Sequence, residues 1–123
     1  MMRVLMVVLL LSVSNVGFTS FVSGHELMSY HLECDKYRAE PGTEAWTRSC
    51  GIGQSYIMGV FDMAHSLNER WLFQKRFCKP YDVDRPQLLA TVRKYMADHP
   101  EQMDLAAAGI VYDALTQAYP CER

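Results

Sequence analysis

The sequence lacks most of the features that mark catalytic or nucleic-acid-binding proteins. It contains no C-x-x-C pair and no C-x-x-C-H haem site, and its 12 Lys and Arg residues are scattered rather than gathered into a basic stripe. A phosphate-tracking surface is therefore not indicated, so we expect no nucleic-acid partner. No stretch alternates convincingly between apolar and polar residues, which argues against a sheet. No internal repeat or linker divides the chain, whose length corresponds to one domain.

The four histidines are the natural candidates for catalysis or metal binding, and none has the partners that such chemistry needs. His31 and Asp35 are spaced as half of a metal site, but no second pair accompanies them, so a solvated pair is expected. His65 and His99 lie near predicted helix ends, where structural roles are favoured. His25 has no defined partner histidine for copper. We therefore predict that the protein is not an enzyme and holds no metal or cofactor.

The first 24 residues have the composition of a secretory signal peptide. A short positive segment, Met1 to Arg3, precedes an uninterrupted apolar run from Val4 to Leu11, after which the sequence turns small and polar. The best small-residue cleavage site ends at Gly24. The expected division is a signal peptide over 1–24 and a mature domain over 25–123.

The rival interpretation of this leader is an uncleaved membrane anchor. Val4 to Val22 is 19 residues long, close to the roughly 20 that a spanning helix needs, but polar residues dilute its second half. No cysteine precedes Cys34, so a lipoprotein anchor near the leader is not expected. Cleavage is favoured, and we expect no membrane contact after it.

Four cysteines follow the leader: Cys34, Cys50, Cys78 and Cys121. An even cysteine count in a short secreted chain predicts a disulfide framework, whereas the same residues in a cytosolic enzyme would suggest metal or redox chemistry. Four cysteines permit three connectivities. The framework places the protein outside the cytoplasm.

Helical periodicity covers most of the remaining chain. Apolar residues recur at spacings of three and four over Glu26 to Tyr37, and again along a helix that starts near Arg48 to Cys50. Asp84 is a predicted N-cap, followed by a helix that opens with Arg85-Pro86. A last helix is predicted over Asp104 to Tyr119. We therefore expect an all-α fold, a small domain of four to five helices stapled by two disulfides.

Three details of these helices carry specific predictions. Ser23 and Glu26 fit a capping box, although Ser23 would leave with the leader. Gly59 lies mid-helix among apolar neighbours and costs on the order of 1 kcal/mol relative to Ala, which predicts the close approach of another helix. Leu105 is expected on the inward face of the last helix.

Five short pieces of sequence form an ordered pattern between Cys34 and Cys121. They are Cys50 with Tyr56-Ile57-Met58-Gly59-Val60-Phe61-Asp62-Met63-Ala64, then Phe77-Cys78-Lys79-Pro80, then Gln87 with Val92 and Tyr95, then His99-Pro100, and finally Ala114-Leu115 with Ala118-Tyr119-Pro120-Cys121. This pattern resembles the Rap/Tai immunity proteins. The resemblance implies a small periplasmic all-α protein that neutralises a peptidoglycan amidase delivered by type VI secretion, and it also implies a homodimer.

The positions of the cysteines favour one of the three connectivities. Cys34 lies late in the first predicted helix and Cys50 at the start of the second, so an antiparallel helical hairpin brings them together. Cys78 and Cys121 lie just outside helix ends, where backbone freedom eases bridge geometry. We predict bridges from Cys34 to Cys50 and from Cys78 to Cys121.

A binding protein is the predicted function. By resemblance it caps the catalytic cleft of a papain-like cysteine amidase and uses no chemistry of its own. The predicted partner-binding residues lie in an aperiodic segment before Cys78, because aromatic and Arg residues anchor such interfaces. They are Trp71, Phe73, Lys75 and Arg76. The alternative for Trp71 and Phe73 is that they close the core over a loop.

Two other function classes remain open at this point. One is a periplasmic acid-stress chaperone of the Hde type, which is also small, helical and disulfide-bonded. The other is a small ligand carrier, suggested by the many apolar helix positions and by Met58, Met63, Met96 and Met103, although Met at helical spacing is more often core filler.

Overall fold

A computed structural model describes residues 20–70 and 76–122 of the chain, and four α-helices account for most of them. Within these two ranges the extended backbone pairs only at two isolated bridges. None of the helices described combines the length and the hydropathy that a membrane-spanning segment requires. The predicted all-α fold is therefore confirmed. The helices are α1 (Gly24–Lys36), α2 (Glu44–Glu69), α3 (Arg85–Asp98) and α4 (Ala107–Ala118), with a 3₁₀ turn at Pro100–Gln102 between the last two.

The first two helices form an antiparallel hairpin that a disulfide closes. Cys34 near the end of α1 is bonded to Cys50 in the first half of α2, with 4.5 Å between their Cα atoms, as predicted. The helices also pack closely at Gly53, where an added Cβ would lie 3.2 Å from Cβ of Tyr30. The predicted close approach of another helix at Gly59 is wrong, because among the described residues no other helix comes within 4 Å of an added Cβ there.

Side-chain caps determine where α2 and α3 begin. The Thr43 hydroxyl accepts a hydrogen bond from the Trp46 backbone N–H at 3.2 Å, so α2 begins at Glu44 and not near Cys50 as predicted. The predicted cap of α3 is confirmed. The Asp84 carboxylate accepts from the Gln87 N–H, and the Gln87 side chain accepts from the Asp84 N–H, both at 2.9 Å.

The last helix begins at Ala107, later than the Asp104 that periodicity predicts. The preceding backbone instead bonds to the start of α1, since the Gly24 N–H donates to the Leu105 carbonyl at 3.0 Å. Leu105 is consequently 56% exposed, so its predicted inward orientation is wrong. Long-range backbone pairing has replaced a helical turn that the local sequence would allow.

All four helices contribute to one apolar core. The side chains that are almost completely buried include Leu27 on α1, Ile57 on α2, Val92 on α3 and Leu115 on α4. Burial of a Val, Leu or Ile side chain stabilises a fold by roughly 1.5–3 kcal/mol, so this cluster is the main source of stability.

The second disulfide fastens the C-terminal segment to the chain before α3. Cys78 is bonded to Cys121, as predicted, and the Cys78 N–H donates to the Tyr119 carbonyl at 2.7 Å. The neighbouring residues Phe77 and Pro120 form one of the two isolated bridges. The Cys78–Cys121 bridge therefore closes a chain segment that contains both α3 and α4.

Replacing both Cys78 and Cys121 by Ala should lower the free energy of unfolding by about 4 kcal/mol. The sequence separation is 43, and a bridge across a loop of that length restricts the unfolded chain by about this amount. Denaturant unfolding of the oxidised proteins measures the difference. With reductant present, the variant and the wild type should become equally stable, and a difference that persisted would contradict this explanation.

Candidate functional site

A groove between α2 and α4 forms a concave surface with a volume of about 860 Å³. This size falls within the range of about 300–1,000 Å³ that binding sites usually occupy. The walls are mainly apolar, and polar groups are confined to a few positions. The lining residues are Ser55, Tyr56, Gly59, Val60, Met63, Ala64, Leu67, Asn68, Arg76, Ala108 and Tyr112.

Gly59 leaves part of the groove open. It is exposed in the middle of α2, and among residues 20–70 and 76–122 an added Cβ would meet no atom of another element within 4 Å. Glycine in a helix interior costs about 1 kcal/mol relative to Ala, and no neighbouring helix in the described structure requires it here. Met63, one helical turn further on, is 63% exposed and lies on the same groove. Within the part of the chain that the structure describes, Gly59 thus reduces stability without a packing reason.

Aromatic packing holds the α4 wall of the groove. Phe77 is only 2% exposed and makes an edge-to-face contact with Tyr112, with 6.2 Å between ring centroids. Phe61 on α2 also packs against Phe77, with 5.9 Å between ring centroids. Across the groove, burial raises the pKa of the Tyr56 phenol. Phe77 therefore links α2 to α4 behind the groove surface.

A buried amide fixes the chain at one end of the groove. The Asn68 side chain donates a hydrogen bond to the Phe77 carbonyl at 3.0 Å, and Asn68 is only 5% exposed. The next residue along the chain, Cys78, is held by the disulfide and by the Tyr119 carbonyl. Because of these bonds, Phe77 and Cys78 have a defined position beside the groove.

Of the predicted partner-binding residues, Arg76 is the one whose position the structure gives. It is exposed and lines the groove next to Asn68. Trp71, Phe73 and Lys75 lie outside the described residues, so their assignment stays a prediction. The remaining groove residues were missed as a site because their helical spacing indicates core packing equally well.

The family model of the Rap1a immunity proteins matches residues 23–121 of this chain. The chain belongs to the Rap1a immunity protein family. No curated protein matches it at a significant level. The match includes all four helices, both disulfides and the groove, so the Rap1a domain and the described fold coincide.

A second, smaller cavity of the Rap1a domain contains an ion-pair network. It has a volume of about 310 Å³ and lies between α1, α2 and α3. Arg93 on α3 binds both carboxylate oxygens of Asp35 on α1, and Arg38 donates to the same carboxylate at 2.6 Å. The hydrogen bond from Arg93, together with that from Arg38, holds the pKa of Asp35 well below its usual range.

The predicted solvated pair of His31 and Asp35 is wrong. His31 is only 8% exposed, and its Nε2 atom finds no hydrogen-bond partner among the described residues. Burial, reinforced by the positive charge of Arg93, lowers the pKa of His31, so the neutral imidazole is favoured. No local pattern indicates that Arg93 pairs with Asp35, because the two residues lie far apart along the chain.

The other histidines make structural contacts in the Rap1a domain. The His99 ring stacks on Tyr95 with 4.0 Å between centroids, and its Nδ1 atom lies 2.8 Å from the Tyr95 carbonyl. His65 stacks on Phe61, and His25 lies 3.2 Å from the Asp104 carboxylate at the surface. Among residues 20–70 and 76–122, no three His, Cys, Asp or Glu side chains are grouped to hold a metal ion.

The Asp35→Asn variant should be less stable than the wild type at pH 7 by roughly 1 kcal/mol, because it removes the ion pair that joins α1 to α3. The pKa of Asp35 is lower in the folded than in the unfolded chain. Its contribution is therefore complete above about pH 4 and is lost as the pH falls further. Denaturant unfolding of both proteins between pH 2 and 7 checks this.

A matched control for this experiment is Glu33→Gln. Glu33 pairs with Lys36 on the surface of α1, where both side chains are exposed, so its removal should change stability little at any pH. If the stability difference for Asp35→Asn stayed constant down to pH 2, the ion pair would not be its cause.

Proposed function

We propose that this protein is a periplasmic immunity protein that binds a peptidoglycan amidase effector of type VI secretion and blocks its active site. Membership of the Rap1a family supports an immunity function, and with it a cognate effector as partner. Two disulfides suit an oxidising compartment such as the periplasm, which is also where peptidoglycan is degraded. The secretory leader supports the same location.

We assign the effector contact to the groove between α2 and α4. The observation that carries this assignment is Gly59, which leaves an open, apolar recess in a helix at the expense of stability. Residues that reduce stability without a packing reason are expected where a protein binds a partner. A side chain from the effector that filled the recess would be desolvated by Tyr56, Met63 and Tyr112 around it.

Inhibition by this surface requires no chemistry from the immunity protein. An apolar anchor surrounded by polar groups is the usual arrangement of a tight interface, and Arg76 and Ser55 supply polar groups at this groove. The bound protein would exclude peptidoglycan from the amidase cleft sterically. Fixed aromatic walls reduce the conformational entropy lost on binding, which favours a tight complex.

Filling the groove should separate binding from stability. Gly59→Leu places a side chain in the empty recess and replaces a poor helix former, so the variant should be at least as stable as the wild type, by up to about 1 kcal/mol. Its affinity for a cognate peptidoglycan amidase effector should fall at least about tenfold, or roughly 1.4 kcal/mol. Calorimetric titration and thermal unfolding measure the two quantities.

The matched control is Gly51→Leu on the same helix. Gly51 also has open space around its Cα atom but does not line the groove, so this variant should keep full affinity. Equal affinities for the two variants would contradict the assignment.

A carrier of small apolar ligands is the second candidate function, because the volume and apolar lining of the groove also suit such a ligand. Native mass spectrometry of the protein from cells distinguishes the two functions. An immunity protein should give the mass of the polypeptide alone, whereas a bound lipid lost from Gly59→Leu would favour the carrier.

The predicted anchor segment can be tested independently of the groove. Replacing Trp71 and Arg76 together by Ala should weaken effector binding, because Trp and Arg dominate the energetics of most interfaces. Circular dichroism and thermal unfolding show whether the fold is intact. If the double variant stayed folded and bound the effector unchanged, the anchor assignment would be wrong.

A further inference from the structure

The three residues Val22, Ser23 and Gly24 are integral to the folded domain. The Val22 carbonyl accepts a hydrogen bond from the Ala107 N–H at 2.9 Å, and the Gly24 N–H donates to the Leu105 carbonyl at 3.0 Å. Ser23 forms an isolated antiparallel bridge with Ala106 between these bonds. The chain before α1 is thus paired with the chain before α4, although the leader predicted from composition includes it.

Ser23 is also the N-cap of α1. Its hydroxyl accepts from the Glu26 N–H at 3.3 Å, and its own N–H donates to the Glu26 carboxylate at 2.8 Å, which completes the predicted capping box. The Ser23 carbonyl accepts the first backbone bond of the helix, from Leu27, at 3.0 Å. Both backbone groups and the side chain of Ser23 are therefore used by the fold.

Gly24 occupies a space that admits no side chain. An added Cβ would lie 2.6 Å from Cδ1 of Ile110 and 2.8 Å from Cα of Met103, and the second of these is a backbone atom that cannot move aside easily. Gly24 is the first residue of α1 and is buried against Ile110 of α4. The small residue that makes this position resemble a cleavage site is required here by close packing.

A cut after Gly24 would leave several groups unpaired. The buried Ala107 N–H would lose its acceptor, the Leu105 carbonyl its donor, and α1 its cap. The new ammonium group would lie on His25, in the first turn of α1, where the helix dipole disfavours positive charge. These losses fall on the contact between α1 and α4, which holds the domain together at this end.

We propose that the leader is removed N-terminal to Val22, so that the mature protein begins between Phe18 and Val22 and keeps Ser23 and Gly24. This inference rests on the secretion included in the proposed function. Small residues for such a cut are present upstream, at Gly17, Thr19 and Ser20.

The deciding experiment expresses the full chain in a Gram-negative host and measures the intact mass and the N-terminal sequence of the periplasmic protein. A first residue between Phe18 and Val22 is expected. A major species that begins at His25, or one that keeps the whole leader, would overturn the proposal.

A second experiment locates the cut by a measurement that does not depend on folding of the domain. Gly24→Leu places a bulky residue at position 24, where a cut after that position requires a small one. It does not change the residues from Gly17 to Val22, where the proposed cut lies. Pulse labelling follows conversion of the precursor at the membrane, before the domain folds. Conversion should proceed as in the wild type, and its loss would place the cut after Gly24.

A third measurement compares purified chains that begin at Ser20 and at His25. The shorter chain should unfold at a midpoint lower by roughly 10 °C, because it lacks the cap and the pairing with the start of α4. Equal midpoints would contradict the structural reason for the proposal. None of these experiments uses an effector, so their results do not depend on the proposed immunity function. A failure of that function would be seen separately, because the correctly processed protein would not bind the amidase.

Discussion

The junction of Phe77 and Cys78 with the end of α4 is the constraint on which the rest of the domain depends. At this one place the Cys78–Cys121 disulfide, the bond from Cys78 to the Tyr119 carbonyl and the buried Asn68 amide converge. Without it, the Phe77 ring would not be held in its packing contacts with Phe61 on α2 and Tyr112 on α4. Two pieces of the family pattern, distant in sequence, meet here in space.

The groove is a consequence of that junction. Phe77 holds α4 beside α2, while the absence of a side chain at Gly59 leaves the space between the helices partly unfilled. Such a surface is stable enough to remain open and apolar enough to gain free energy when a partner covers it. The domain tolerates the loss of stability at Gly59 because two disulfides restrict the conformations of its unfolded chain.

Local patterns predicted the helices well, and contacts between distant residues account for the errors. The capping box at Asp84 and the pairing of Cys34 with Cys50 follow from short-range spacing, and both are confirmed. The ion pair of Asp35 with Arg93 joins helices that are far apart in sequence, so no local signal indicates it. Gly59 could not be interpreted correctly from sequence for a related reason. A helical glycine in close contact with another helix, such as Gly53, and one without such a contact, such as Gly59, have similar apolar neighbours in the sequence.

The two ends of α4 are fixed by segments from outside the helix, and this explains how a small domain presents a preformed surface. At its start, Ala107 bonds to Val22, and beyond its end, Cys121 is bonded to Cys78. A helix of this length is marginal in isolation, and its orientation would otherwise depend on side-chain packing alone. Because both ends are held, the groove wall loses little further freedom when a partner binds, which favours affinity. If the groove binds the effector as proposed, the residues before α1 would contribute to recognition through α4, because they fix the start of that helix.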